Sequence, residues 1–219
     1  MNLSYTEENY LKSIFQLVQK DGNENTSTNA IAENLGIKPA TVTSMLKKLR
    51  DKELIFYEKY GKTGLTQLGN KIALEVIRKH RLWEVFLFEK LDFSWDEVHE
   101  IAEQLEHIQS ATLINRLDAF LGFPQKDPHG DPIPDIHGQL KHISKTLLSD
   151  AITGKEYRVI AVKDSSTEFL QDLMHLKITL DTRIKVIKKM EFDQSLQLLI
   201  NQDTEIIVSA IFSKNLIIE

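Results

Sequence analysis

The sequence predicts a mainly α-helical chain with a β-rich C-terminal domain, and three observations carry that prediction. Apolar residues recur at helical spacing up to residue 121. A stretch rich in proline and glycine then breaks the pattern over 122–138. From Glu156 onward the texture changes to short alternating runs that suit strands. The 219 residues suffice for two compact units with a sizeable core.

Residues 4–75 read as helices followed by a short hairpin. Ser4 and Glu7 stand at capping-box spacing. Tyr10, Leu11, Ile14, Phe15, Leu17 and Val18 then repeat as a helical stripe. Residues 76–121 read as long helices, broken at Leu91-Asp92-Phe93, with a second capping box at Ser94 and Glu97. Pro124, Pro128, Pro132 and Pro134 mark an extended loop, and 139–153 suit one more short helix. Tyr157–Val162, Arg183–Met190, Leu196–Ile200 and Glu205–Ser209 are expected strands, whose short lengths and spacing suggest a small barrel.

Composition excludes several functions. With no cysteine there is no disulfide, thiolate metal site or cysteine nucleophile, which fits a reducing cytoplasm. No apolar run is long enough to span a bilayer, and Met1–Tyr5 lacks the start of a secretion signal, so no membrane association is expected. A net charge of −5 argues against general stickiness for nucleic acid. Charge is nevertheless uneven. Between Gly36 and Gly64, Lys38, Lys47, Lys48, Arg50, Lys52, Lys59 and Lys62 oppose Asp51, Glu53 and Glu58, which leaves 7 − 3 = +4.

That basic segment has helix-turn-helix logic. Ala32 is small where two helices would cross, Gly36 suits the turn, and Ile37 is expected to plug the core behind it. Pro39 is tolerated in a first helical turn, where its missing N–H is not needed. Val42, Met45, Leu46 and Leu49 form one stripe; Thr41, Thr43, Ser44, Lys47 and Lys48 form the opposite face. Hydroxyls there can read bases or bind phosphates, and lysines neutralise phosphates. Leu54–Thr66 reads as a hairpin wing with Lys59 and Lys62 near its tip. A plain helical hairpin with solvated lysines is the bland alternative.

The second chemical signal is Val98–His107. As one helix, it places His99, Glu103, Glu106 and His107 within an arc of roughly 100°. Val98, Ile101, Ala102, Leu105 and Ile108 fall opposite. His80 and Glu84 add an i, i+4 pair on the preceding helix. Oxygen and neutral imidazole donors suit a divalent metal of intermediate hardness. A solvated polar face is the competing reading. A metallohydrolase is another, but the inverted zinc-protease pattern His-x-x-Glu-His fails because Glu103 holds its first position.

Glu8–Leu11, Arg78–Glu84, His99–His107, Leu121–Pro124 and Pro128–Gly130 together resemble the iron- and manganese-dependent repressor family, over nearly the whole chain. The resemblance implies a winged helix-turn-helix DNA-binding domain (1–75), a helical metal-binding and dimerisation domain (76–153) and an SH3-like domain (154–219). It implies a primary, activating site of Asn9, Glu103, Glu106 and His107. It further implies an ancillary site of His80, Glu84 and His99, closed by Asp127, Asp164 or Glu168. Asp127 stands where some relatives have cysteine. Asn9 departs from the aspartate of manganese members and the methionine of iron members.

The function expected from this resemblance is a cytoplasmic, non-enzymatic repressor, activated by Mn2+ (or Fe2+) and binding double-stranded operator DNA as a homodimer. Phe86, Leu87, Leu113, Ile114 and Leu117 are the expected dimer-building positions. Competing expectations are an iron-responsive regulator on the same scaffold, a metallohydrolase with an accessory winged helix, and a metal-independent adaptor.

Overall fold

The computed structural model describes residues 3–57, 62–141 and 146–219. The chain divides into two compact units. One comprises Met1–His80, Gln104–Ala111 and Pro134–Gln139; the other comprises Arg81–Glu103, Thr112–Ile133 and Leu140–Glu219.

The first unit starts with α1 (Tyr5–Asp21). Its capping box is formed: the Ser4 hydroxyl accepts from the Glu7 N–H, and the Glu7 carboxylate accepts from the Ser4 N–H. Helices α2 (Thr28–Asn34) and α3 (Pro39–Asp51) form the helix-turn-helix. The turn between them is a Schellman cap. Gly36 donates to the Glu33 carbonyl and Ile37 to that of Ala32, with Gly36 at φ 65°. That geometry corrects the expectation for Ile37. Ile37 is 37% exposed and does not fill the core. The core beneath is Leu11, Ile14, Ile31, Val42, Leu46 and Leu49, all fully buried. Strands β1 (Ile55–Tyr57) and β2 (Thr63–Leu65) form the wing, and Thr26 adds a two-bond bridge to Thr63. The wing tip, with Lys59, lies outside the described residues.

Helix α4 (Gln67–Leu91) runs through both units, and α5 (Val98–Leu105) does likewise. In the second unit, α6 (Ala111–Phe120, counted there from Thr112) buries Ile114 and Leu117 against Leu82, with Trp83, Phe86, Leu121 and Ile133 around them. The Ser94–Glu97 pair forms only half of a capping box. Glu97 accepts from the Ser94 N–H, but its own N–H reaches the Ser94 carbonyl, and the helix begins at Val98.

The C-terminal part is a six-stranded sheet of order β3-β8-β4-β5-β6-β7, antiparallel throughout. Its strands are β3 (Thr146–Leu147), β4 (Glu156–Val162), β5 (Arg183–Lys189), β6 (Leu196–Ile200), β7 (Thr204–Val208) and β8 (Leu216–Ile218). Of the short helix expected over 139–153, residues 142–145 lie outside the described residues, and 146–150 form β3 and a 3-10 turn at Leu148–Asp150 instead. Leu148 is fully buried in the barrel core, so tertiary burial of one leucine overrides a weak local preference. Two helices were not anticipated, α7 (Thr167–His175) and α8 (Ala210–Ser213). Phe169, Leu170, Leu173 and Phe212 from these helices join the same core.

Candidate metal centres and DNA-reading surface

Helix α5 ends at Leu105, so Glu106 and His107 sit in the turn that follows it. The single helical arc expected for His99, Glu103, Glu106 and His107 therefore does not exist. Glu106 and His107 belong to the first unit, and His99 and Glu103 to the second.

In the first unit Glu106 is fully buried. Its Oε2 lies 2.6 Å from Lys12 Nζ and 2.6 Å from His80 Nδ1. Among the described residues its Oε1 has no hydrogen-bond partner, and neither does the buried Oδ1 of Asn9. His107 is oriented from behind: its Nδ1 meets Glu8 Oε2 at 2.6 Å, which turns Nε2 toward Glu106 Oε1 at 3.8 Å. Tyr5 stacks on the ring at 4.6 Å between centroids. Gln109 Nε2 donates to the other Glu8 oxygen at 2.6 Å. Glu8 is thus committed to orienting a histidine, the arrangement that fixes the tautomer of an imidazole ligand. An unpartnered buried carboxylate oxygen and amide oxygen are costly in a protein interior, unless a cation satisfies them. Asn9, Glu106 and His107 fit an oxygen- and nitrogen-ligated divalent ion on that ground. His80, expected in the other site, places Nδ1 on Glu106.

In the second unit Glu84, Asp127 and His129 are all buried and bring one ligand atom each within 4.8 Å of one another. His99 Nδ1 lies 3.2 Å from Glu84 Oε1, and His129 Nδ1 lies 3.7 Å from the same oxygen. His129 Nε2 is 3.0 Å from the Trp95 carbonyl, which can only accept. The Nε2 proton is therefore fixed, and the Nδ1 lone pair of the neutral ring faces Glu84. Asp127 Oδ1 accepts from the N–H groups of His129 and Asp131 at 2.9 Å, and its Oδ2 lies 3.4 Å from Arg81 Nε. Burial, with the charges of Glu84 and Asp131, pushes the Asp127 carboxyl up to about 7 against the opposing Arg81. Burial works to lower the His129 imidazole, but its contacts with Glu84 and Asp127 raise it. Two buried carboxylates that oppose each other's ionisation, with an imidazole beside them, fit a divalent cation.

The loop carrying Asp127 and His129 is pinned to the barrel. Val162 N–H donates to the His129 carbonyl, and Trp95 Nε1 donates to that of Pro128. Gly130 has φ 89°, and a Cβ there would lie 2.2 Å from the Ile160 carbonyl oxygen. His129 was not singled out from the sequence as a ligand. Its signal was available in Asp127-Pro128-His129-Gly130: two ligand types at i, i+2, followed by a glycine that permits close backbone approach. Asp164 is half-buried and accepts from the Ser166 N–H, and Glu168 is exposed in the first turn of α7. Neither belongs to the converging group. Glu103 Oε1 lies 3.6 Å from His99 Nε2.

On α3, Thr41, Ser44, Lys47 and Lys48 are exposed and Thr43 is half-buried. Thr43 Oγ1 donates back to the Pro39 carbonyl, and Lys48 Nζ lies 3.3 Å from Glu7. Lys62 is exposed beside the wing. Thr41, Thr43, Ser44, Lys47 and Lys48 share the helix that a helix-turn-helix presents to the major groove.

Fold and side chains define a class: a winged helix-turn-helix protein whose buried carboxylates and imidazoles suit divalent metal. Family profiles make it specific. Residues 2–63 match the N-terminal DNA binding domain of the iron dependent repressors, and residues 66–135 match their metal binding and dimerisation domain. Residues 146–219 match the FeoA domain. The chain belongs to the iron- and manganese-dependent repressor family and is a metal-dependent DNA-binding transcriptional repressor. The HTH-type transcriptional regulator MntR of Bacillus subtilis is 31% identical over 136 residues, 62% of this chain and 94% of its own length. The iron-dependent repressor IdeR of Mycobacterium tuberculosis is 33% identical over 132 residues, 60% of this chain and 56% of its own length. A solved manganese-dependent transcriptional repressor in complex with manganese is 33% identical, with a TM-score of 0.87 over 97% of this chain and 98% of that one. Members of this family are transcriptional regulators. Among the described residues no helix is long and apolar enough to cross a membrane.

Proposed function

We propose that this repressor acts as a cytoplasmic homodimer that binds double-stranded operator DNA when loaded with manganese, with ferrous iron as the second effector. The carrying observation is the pair of buried oxygens without partners, Asn9 Oδ1 and Glu106 Oε1, together with His107 held by Glu8. These donors are the activating site in this reading, and Glu103 is the further ligand that the family resemblance adds. The donor set has no sulfur, which removes the ligand that favours softer ions over manganese. Relatives named for manganese and for iron support the two effectors.

Glu84, Asp127 and His129, with His99 beside them, form the second site of this proposal; Asp164 and Glu168 lie outside that group. A divalent ion, when bound, would supply positive charge beside the buried Glu106, or beside Glu84 and Asp127. The chain's own residues do the rest: Glu8 and the Trp95 carbonyl hold the two imidazoles in their ligating tautomers, and burial excludes water. Residues 1–75 then read DNA through Thr41, Thr43, Ser44, Lys47, Lys48, Lys59 and Lys62. Residues 76–153 bind metal and pair the protomers, and 154–219 form the SH3-like domain that pins the loop of the second site. Leu113 and Phe120 on α6, exposed at 40% and 66%, are the surface offered for pairing. Phe86, Leu87, Ile114 and Leu117 are largely committed inside the chain.

The test is DNA binding to a duplex selected by the metal-loaded protein from a random library, with Mn2+, Fe2+, Zn2+ and a chelator. Specific binding that survives the chelator overturns the metal-dependent reading.

A further inference from the structure

Three consecutive residues of α1 point three ways. Glu7, 1% exposed, meets Lys52 Nζ at 2.6 Å and Lys48 Nζ at 3.3 Å. Lys48 lies in the last turn of α3, and Lys52 is the residue that caps it. Glu8 holds His107 and Gln109, both at 2.6 Å. Asn9 leaves Oδ1 buried and unpartnered. Successive helical side chains diverge by about 100°, so a single turn is gripped on one side by α3 and on another by the segment bearing Glu106 and His107.

We propose that Glu7 is a positioning residue that couples metal occupancy at Asn9, Glu106 and His107 to the placement of α3. This rests on the metal-dependent reading above. The Glu7 bonds are charge-assisted and the Glu7 carboxylate is buried, so pulling Lys52 away leaves that carboxylate without its nearest counter-charge. The end of α3 therefore follows the first turn of α1 rather than parting from it. Any adjustment of that turn when Asn9 and the His107 segment close on a cation reaches Lys48 and Lys52 within one helical turn. Glu7 also lies 3.3 Å from Lys48, which stays exposed, so the same carboxylate reaches a side chain of the DNA-reading face. A purely local role in capping α1 is the competing explanation, and the capping box separates the two: glutamine at this position keeps the box but loses the charge.

The experiment compares the full chain with Glu7→Gln, Lys52→Met and the double variant. The affinity of DNA-free protein for Mn2+ is read by electron paramagnetic resonance titration. The ratio of DNA Kd in chelator to DNA Kd in saturating Mn2+ is read on the selected duplex. Mn2+ affinity without DNA is expected to stay within about twofold, while the ratio falls at least about fivefold in each single variant and no further in the double. An unchanged ratio in both single variants overturns the coupling and leaves the metal-dependent reading standing. A parent whose DNA binding ignores Mn2+ overturns both. A loss of DNA-free Mn2+ affinity as large as the loss of ratio also overturns it, because Glu7 would then belong to the site itself. If Glu7→Gln melts far below the parent, Lys52→Met decides, since its side chain is 29% exposed and lies outside the core.

Discussion

Asp127 shows how much a single residue can do at this site. Its carboxyl is pushed up to about 7 by burial and by Glu84 and Asp131, and His129 is raised by Glu84 and Asp127 despite its burial. Both groups then bind protons in the metal-free folded chain more tightly than in the unfolded chain. By linkage, the Asp127 contribution is fully present below about 4, the unfolded carboxyl value, and is lost as pH rises to about 7, while the His129 contribution is lost only above the ordinary imidazole range. Melting temperatures of metal-free protein between pH 4 and 8 should show that decline, and Asp127→Asn should flatten it. A parallel decline in the variant would place the titration elsewhere. Asn9 supports a second residue-scale prediction. Its carbonyl oxygen is neutral, so Asn9→Asp adds a charge to the donor set and should tighten Mn2+ binding by about tenfold in DNA-free protein. Equal affinities would remove Asn9 from the site. Gly130 supports a third. With a Cβ 2.2 Å from the Ile160 oxygen, Gly130→Ala must displace the loop and should cost several-fold in second-site metal affinity while leaving the Asn9 site untouched.

At the scale of elements, α3 is held by Leu46 and Leu49 within and by Glu7 at its end, while its outer face is open. Lys47→Ala with Lys48→Ala should weaken DNA binding across all sequences and lower the salt slope by about two counterions. Thr41→Ala or Ser44→Ala should instead alter sequence preference with little change in slope. If the double lysine variant binds as the parent does, α3 is not the helix that meets DNA. Leu46→Ala, in contrast, empties a fully buried position and should cost about 2–5 kcal/mol of stability, read in urea unfolding. The end of α5 matters in the same way. Terminating the helix at Leu105 lets Glu106 and His107 leave the line of His99 and Glu103, and with that each pair serves a different unit.

For the whole molecule, the decisive quantity is the free energy that links metal, DNA and self-association. An ion shifts the balance between arrangements only by its differential affinity for them, and the coupling is reciprocal. Mn2+ should therefore bind more tightly to the DNA complex than to free protein, by the same factor that Mn2+ improves DNA binding. In the proposed dimer, pairing through Leu113 and Phe120 would give two reading helices for a two-fold operator. Sedimentation of Leu113→Glu with Phe120→Glu should show a monomer at micromolar concentration where the parent is a dimer. A parent that is itself a monomer, with metal and on DNA, would remove pairing from the proposal.

Local chemistry in the chain determined the helix-turn-helix, the formed box at Ser4 and Glu7, and the four strand runs from Tyr157 to Val208. Each depends on spacing within a few residues, which the linear order displays directly. Residue type alone also excluded thiolate donors from any metal site, because the chain has no cysteine. What the tertiary structure decided is which donors meet. His129 joins Glu84 and Asp127 because the Trp95 carbonyl orients its ring and a glycine lets its loop approach β4. Glu8 supports His107 rather than serving as a ligand, from 99 positions away. Leu148 stands in a 3-10 turn rather than an α-helix, because a place in the barrel core outweighs its local preference. Helical and strand periods are short-range properties and can be read along a sequence. The convergence of side chains from distant segments depends on packing that no single stretch of sequence contains.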